Sequence, residues 1–373
     1  MRVNFQCFKG VKSLMILKKI DKNYNFISIF NTQSGFYMRT GILDDSGKDT
    51  GVEVFQSSFP ELIDIGIMGH CVHGKSGLCL KAGVQCYQNG MNIQQENMSL
   101  ENYIKIIDEI KGKTFQVALG GRGDPNKHEN FYEILEYTRI NNIVPNYTTS
   151  GFLLKDEEVQ LTKKYCGAVA VSWYFHQYTK KAVDMFVKSG MKVNIHYVLN
   201  STSVEEASYM LYKDKFPRGI NAVIFLLHKP VGLGKEDRVL KYEDKTVQDF
   251  FKNIMWKKYP FKIGFDSCSV PALINFNSNF DIHSIDTCEA ARWSMYITPD
   301  MKALPCSFDQ ELKWCVELKD KNIGYAWNSN VFENFRNKFK KSCPNCREKV
   351  NCMGGCPLCR SIILCNREEM YKL

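Results

Sequence analysis

No stretch of this chain approaches 18 consecutive apolar residues, so the sequence predicts no membrane span. The opening Met1-Arg2-Val3-Asn4-Phe5-Gln6-Cys7 lacks an apolar signal region, which argues against secretion and for a cytoplasmic protein. Charge of one sign is never massed. Lys and Arg outnumber Asp and Glu by 49 to 40, a formal +9, yet they are scattered without a long basic run. A nucleic-acid surface is therefore a weak expectation. There is no internal repeat beyond a β/α alternation and no low-complexity tract, which excludes solenoid and linker-like organisation.

What is abundant is cysteine. Fifteen thiols in 373 residues of a cytosolic chain point to metal or redox chemistry rather than disulfides. The hydrophobic share of 44% is ordinary for a globular core, and the length suits one large barrel or two to three domains.

Three of the thiols share one loop. An apolar run, Leu62-Ile63-Asp64-Ile65-Gly66-Ile67-Met68, reads as a buried strand. After it, Cys71, Cys79 and Cys86 lie among glycines that let the loop bend around something. Three thiolates from one loop suit an iron–sulfur cluster with one iron left open, or a zinc ion with one open position; three buried or free cysteines are the plain reading. His70 and His73 flank Cys71 and offer either a substitute ligand or, more commonly, a donor to a ligand.

Residues 1–60 read as a small β-rich unit, with β-prone stretches at Ser13–Lys18 and Tyr24–Phe30 and a turn at Asn31-Thr32-Gln33-Ser34-Gly35 before Phe36–Arg39. A hairpin ribbon is the plain expectation, and a peptide docking site by strand addition the sharper one. From residue 61 the pattern alternates. Strands are expected at Leu62–Met68, Thr114–Leu119, Ile143–Thr148, Ala168–Ser172, Lys192–Leu199 and Ala222–Leu227. Helices are expected at Leu100–Lys111, His128–Ile140, Asp156–Lys164, Thr179–Lys188, Val204–Tyr212 and Lys245–Lys257. Six such units imply a parallel sheet covered by helices, an open barrel or a doubly wound sheet, with ligands at the carboxyl ends of the strands. The rhythm is lost near Tyr259-Pro260-Phe261, and the remainder is rich in cysteine.

The strand ends carry chemistry on one rim. Strand two ends in Gly120-Gly121-Arg122-Gly123-Asp124, where glycines permit close approach and Asp124 can accept a bond from a cationic amine. Strand three ends in Thr148-Thr149-Ser150-Gly151, strand four in Ser172-Trp173, and strand six leads to Pro230-Val231-Gly232. Further on, Cys288 precedes a hairpin with a Pro299-Asp300 turn that ends at Cys306. Cys343, Cys346, Cys352, Cys356 and Cys365 then crowd at metal-ligand spacing.

On these residues the segment from Cys71 to about Gly234 resembles the core of the radical S-adenosylmethionine (SAM) enzymes, and the C-terminal region is similar to their SPASM domain. The resemblance spans roughly residues 60–366. It implies an α/β fold, a partial (β/α)6 TIM-type barrel over 61–260 and a SPASM domain over 261–373; the β-rich N-terminal unit over 1–60 lies outside it. It implies a [4Fe–4S] cluster on Cys71, Cys79 and Cys86 whose open iron chelates SAM. It assigns Gly120, Gly121, Arg122, Gly123 and Asp124 to the SAM amine, Thr149, Ser150 and Ser172 to further SAM contacts, and Pro230 and Gly232 to the adenine side. Cys268, Cys288, Cys306 and Cys356 would bind one auxiliary cluster, and Cys343, Cys346, Cys352 and Cys365 another. Cys7, Cys166, Cys315 and Cys359 remain as packing or spare thiols. The thiol loop departs from the family: seven residues separate Cys71 from Cys79 and six separate Cys79 from Cys86, where three and two are usual, and Gln85 replaces an aromatic residue. A pair of zinc knuckles is the plain alternative for the C-terminal thiols. With eleven thiolates and three 2+ clusters, the net charge falls from +9 to roughly +4.

The implied activity is reductive cleavage of SAM to a 5′-deoxyadenosyl radical that takes a hydrogen atom from a ribosomally made peptide, forming a thioether, carbon–carbon or related crosslink. The implied partners are that peptide or protein substrate and an electron donor such as flavodoxin or ferredoxin. Two other readings stand beside it: an anaerobic sulfatase-maturing type, and a degenerate relative that binds a peptide or partner without cleaving SAM. The former places an aspartate directly after the hairpin cysteine, whereas here Ser307 follows Cys306 and Asp309 comes third.

Overall fold

The computed structural model describes residues 16–366 apart from 175 and 278–279. Cys7 and the Ser13–Met15 part of the first expected strand lie outside the described residues. The N-terminal unit is a three-stranded antiparallel sheet of β1 (Ile16–Asp21), β2 (Phe26–Asn31) and β3 (Tyr37–Arg39) in that order. Asn31 makes the turn into β3 by taking the amides of Gln33 and Ser34 on its side-chain oxygen.

Six parallel strands then alternate with helices: β4 (Leu62–Met68), β5 (Gln116–Gly121), β6 (Val144–Thr149), β7 (Val169–Ser172), β8 (Val193–Leu199) and β9 (Ala222–Leu227). Parallel strands covered by helices need apolar side chains on the covered face, and β4 supplies them as the fully buried Ile63, Ile65 and Ile67. Of the alternate residues, which turn to the lumen, Leu62 and Asp64 are only partly shielded. Helices Leu100–Ile110, Phe131–Ile140, Asp156–Tyr165, Gln177–Lys188, Val204–Tyr212 and Lys245–Asn253 lie between and after these strands. The first begins where Ser99 accepts the Asn102 amide at 3.2 Å, an N-cap that satisfies one of the first-turn donors.

The parallel pattern continues past residue 260. β10 (Lys262–Phe265) pairs parallel with β9, and Cys268 follows directly in the turn after it. On the other side of the barrel, β11 (Ser294–Ile297) pairs parallel with β4. β12 (Lys302–Leu304) and β13 (Val316–Glu317) extend it antiparallel. The result is one open ten-stranded sheet, β10-β9-β8-β7-β6-β5-β4-β11-β12-β13. The architecture is a partial (β/α)6 barrel with a small N-terminal β unit and a cysteine-rich C-terminal region. The β11–β12 hairpin turns through Thr298-Pro299-Asp300-Met301, where Thr298 Oγ1 donates to Asp300 at 2.6 Å.

Candidate functional site

The thiol loop leaves the carboxyl end of β4 and is more ordered than its glycines suggest. It folds into two short helices, Val72–Lys75 and Leu78–Lys81. Cys71 caps the first by accepting the Gly74 amide at 3.0 Å. Cys79 lies in the second, with its sulfur 2.9 Å from His73 Nδ1. Burial pushes the Cys71 thiol up to about 11 and the Cys79 thiol up to about 12. Cys86 and Asp124 add repulsion at both, and Cys71 adds it at Cys79. The three thiols of the loop therefore lie near enough to feel one another's charge. His73 is held down to about 4 by burial and by His176, so it is neutral. Its ring lies 4.6 Å from Phe152 and edge-on to Tyr178 at 5.2 Å. These contacts hold the neutral ring against the Cys79 sulfur. His70 faces away, toward the Gln95 carbonyl at 3.2 Å.

The rim residues close on this loop. A Cβ at Gly123 would stand 2.5 Å from the His70 carbonyl oxygen and 3.2 Å from Cys71 Cα, so only glycine allows the β5 turn to lie there. Gly232 has φ +64 and faces the Tyr87 and Cys86 carbonyls, while Leu233 donates its amide to Cys86 O at 3.0 Å. Pro230 begins that turn. Gly120 differs, because a Cβ there meets nothing within 4 Å, so its face is open. Asp124 is partly buried and takes both the amide (2.8 Å) and the hydroxyl (2.6 Å) of Ser150, tying the β5 and β6 ends together. Burial raises its pKa, with the Ser150 bonds opposing. Thr149 Oγ1 accepts the Gly151 amide at 3.0 Å. Ser172 bonds the Tyr174 side chain. Arg122 points outward to Gln95 Oε1 at 2.7 Å, and Gly121 ends β5 beside it.

The C-terminal thiols form two neighbourhoods. Cys268 shares a hydrogen bond with Cys356, and that bond together with burial raises its pKa. Cys288 is raised by burial, then by Cys268 and Cys306; burial also pushes Cys306 up to about 12, with Cys268 adding to it. Cys352 is pushed up to about 11 by burial, with Cys365, Cys343 and Cys346 adding to it. Cys346 donates its amide to Cys343 O at 3.1 Å. Among the described residues, no three or more His, Cys, Asp or Glu side chains are drawn into a ready-made ligand set. Thiols are soft donors of the kind that bind zinc and iron–sulfur centres. Cys359 sits at the edge of the first tetrad, its amide 3.4 Å from Cys356 Sγ. Cys166 is raised by burial alone beside Arg139 and packs against the main core, and Cys315 is half-buried.

Several groups here carry no motif in the sequence. Asp64 faces the lumen opposite Tyr296 in register. His196 is held down to about 4 by burial on β8. Lys229, just past β9, is buried and bonds Asp266 Oδ2 at 2.8 Å and Leu227 O at 3.1 Å, with its ammonium 4.4 Å from the Phe308 ring. Alternation along β4 and β8 was the one available signal for Asp64 and His196: each is a polar residue between apolar neighbours. Nothing in the sequence pairs Lys229 with Asp266.

No protein-family model matches the sequence, and no curated protein does. Solved structures do match in fold. SuiB of Streptococcus suis bound to S-adenosylmethionine superposes over 92% of this chain and 95% of its own, with a TM-score of 0.66 and 16% identity. SuiB bound to precursor peptide SuiA gives 0.67 at 14% identity, covering 92% and 94%. Native anSMEcpe with bound AdoMet gives 0.59 at 17% identity, covering 83% and 92%. At these identities the likeness establishes the fold.

Proposed function

We propose that this chain is a radical SAM maturase of a ribosomally made peptide. The observation that carries the reading is the convergence at one rim. The turns after β5 and β9 press against the backbone of the thiol loop at Cys71 and Cys86, and Asp124 binds the end of β6. Three segments distant in sequence thus gather around the thiol loop at the carboxyl end of a parallel sheet, where such folds place chemistry. Two structures of the same fold hold S-adenosylmethionine, and one holds a precursor peptide.

In this reading Cys71, Cys79 and Cys86 hold the SAM-binding [4Fe–4S] cluster. Cys268, Cys288, Cys306 and Cys356 hold one auxiliary cluster, and Cys343, Cys346, Cys352 and Cys365 the other. When bound, the cluster and SAM supply a 5′-deoxyadenosyl radical able to take hydrogen from an unactivated carbon. The open face at Gly120 admits the cofactor beside the loop, and Asp124, Thr149, Ser150 and Ser172 orient it. His73 fixes Cys79, and its aromatic neighbours Phe152 and Tyr178 shield that side from water. Residues 1–60 dock the peptide: β1 is an edge strand, and Ile16 and Ile20 are exposed on it. A carrier such as flavodoxin or ferredoxin supplies the electron.

The sulfatase-maturing alternative loses ground at Asp309. Its two carboxylate oxygens accept the amides of Lys313 (3.1 Å) and Trp314 (2.8 Å), so it braces a turn. The test is anaerobic reconstitution, then reduction with SAM present. About twelve irons per chain are expected, and 5′-deoxyadenosine that vanishes when Cys71, Cys79 and Cys86 are replaced by Ala. About eight irons without 5′-deoxyadenosine would instead identify a binding protein that does not cleave SAM.

A further inference from the structure

Between the loop that precedes the helix Lys245–Asn253, the helix Asn330–Lys341 and the last cysteines lies a cavity of about 660 Å³. Its charge is one-sided. Lys241, Lys338, Lys341 and Arg360 line it against a single carboxylate, Glu243. All four cations are exposed, and none has an ion-pair partner within 4 Å among the described residues. Lys338 also feels Lys313 and Arg360; after burial, these are what lower its pKa. The field over this opening is therefore uncompensated and positive.

The wall of the cavity is the second observation. It includes Cys343 and Cys365 from one proposed tetrad and Cys356 from the other. This is a place where both auxiliary centres of the proposed function border an opening to solvent. A peptide site has no need of that proximity, whereas an electron carrier requires it, because electron transfer weakens steeply with distance.

We propose that this basic cavity is the docking surface for a small acidic one-electron carrier protein, which delivers its electron through the auxiliary centres. The inference rests on the proposed function and specifies where its donor binds. One electron leaves the carrier, which is oxidised by one equivalent, and enters a thiolate-bound centre, which is reduced by one. No atom is transferred. Such encounters are small in area, weak and steered by charge, as an exposed, unpaired set of cations favours.

The probe is a bacterial flavodoxin, acidic and one-electron active, added to the reconstituted holoenzyme. Binding is followed by anisotropy of the labelled flavodoxin, and cluster reduction by stopped flow with reduced flavodoxin. The variant K338E/K341E/R360E is compared with K180E/K181E, an equal kind of charge reversal at exposed positions on the helix Gln177–Lys188. The expected result is that the first variant binds flavodoxin about tenfold or more weakly and is reduced by it correspondingly slowly. Its iron content and its reduction by dithionite stay at wild-type levels, which shows that it is folded and loaded. Binding in the wild type should weaken steeply with salt. The proposal is overturned if both variants weaken alike, if neither does, or if a poly-glutamate peptide binds at the cavity while flavodoxin does not. A chain that takes up no clusters yet binds flavodoxin in this pattern would count against the proposed function and leave the docking surface standing.

Discussion

Asp64 stands on the strand that feeds the thiol loop, with no hydrogen-bond or ion-pair partner among the described residues. Burial alone pushes its carboxyl up to about 7. The sign of the consequence follows from proton counting. Between about pH 4 and pH 7 the unfolded chain has lost this proton and the folded chain keeps it, so stability falls as pH rises through that window. Above pH 7 both states are charged and the penalty is complete. It amounts to about 1–3 kcal/mol, because the lumen admits some water. Asp64→Asn should therefore match the wild type near the acid end and exceed it increasingly toward pH 7. Anaerobic urea unfolding from pH 4 to 8 measures the difference; a gap that is constant or reversed overturns the account. Lys229 shows the opposite arrangement. Burial works against its charge, but Asp266, then Cys268 and Cys356, hold its pKa above the ordinary range. Lys229→Met strands the Asp266 carboxylate and should cost about 3–5 kcal/mol in the same assay, whereas Lys229→Met with Asp266→Asn should recover most of it. If the double variant unfolds as easily as the single one, the pair is not what matters there. Neither residue stood out in the sequence. A lone Asp in an apolar strand is ordinary, and Lys229 meets Asp266 only after β10 is laid beside β9.

Elements were legible wherever burial alone decided them. The strand Ala222–Leu227 and the helix Val204–Tyr212 have in the structure the bounds that their apolar runs suggest. β10 was hidden because Lys262-Ile263-Gly264-Phe265 is short, half-buried and begins with a charge. The thiol loop read as irregular because its glycines mask two single-turn helices; Cys71 and its cap on Gly74 are what start the first. Grouping of the C-terminal thiols was accessible from spacing within 343–365. The neighbourhood of Cys268 with Cys288, Cys306 and Cys356 depends on strand order, which spacing does not encode. The turn after β9 is the element most sensitive to a small change. At Gly232 an alanine faces two penalties, a positive φ and a collision with the Tyr87 carbonyl oxygen beside Cys86. At Gly35, φ is +73 but the space around it is open. Gly35→Ala should thus cost about 1 kcal/mol from backbone strain alone. Gly232→Ala should cost more, and it should also lower iron bound per chain by displacing the loop that carries Cys86. Equal melting temperatures and iron content for the two variants would show that the turn does not brace the loop.

At the scale of the whole molecule, β11 decides how the parts relate. It comes late in the chain yet lies beside β4, so the C-terminal region continues the same sheet as the barrel. The N-terminal unit is fastened to that seam. Glu61, just before β4, accepts from Ser28 at 2.6 Å and from Tyr37 at 2.5 Å. Trp293, just before β11, meets Phe26 edge-on at 5.5 Å and carries the Arg39 guanidinium 4.3 Å from its ring. Arg39 in turn pairs with Asp286. Farther along, Trp327 donates to Ser57 O at 3.0 Å and the buried Arg336 guanidinium donates to Trp327 O at 2.7 Å. A unit that only tethered a peptide would need none of these contacts. Their effect is to make the N-terminal sheet and the β11–β12 hairpin one mechanical body. Trp293→Ala removes the ring that Phe26, Val54 and Arg39 share, a loss of about 3–5 kcal/mol if the cavity does not collapse. Its reach is the informative part. Amide hydrogen exchange should speed up together in Phe26–Asn31 and in Ser294–Ile297, while Val193–Leu199 on the far side of the barrel keeps its protection. Faster exchange in Phe26–Asn31 alone would mean that the unit rides on the barrel without bracing it.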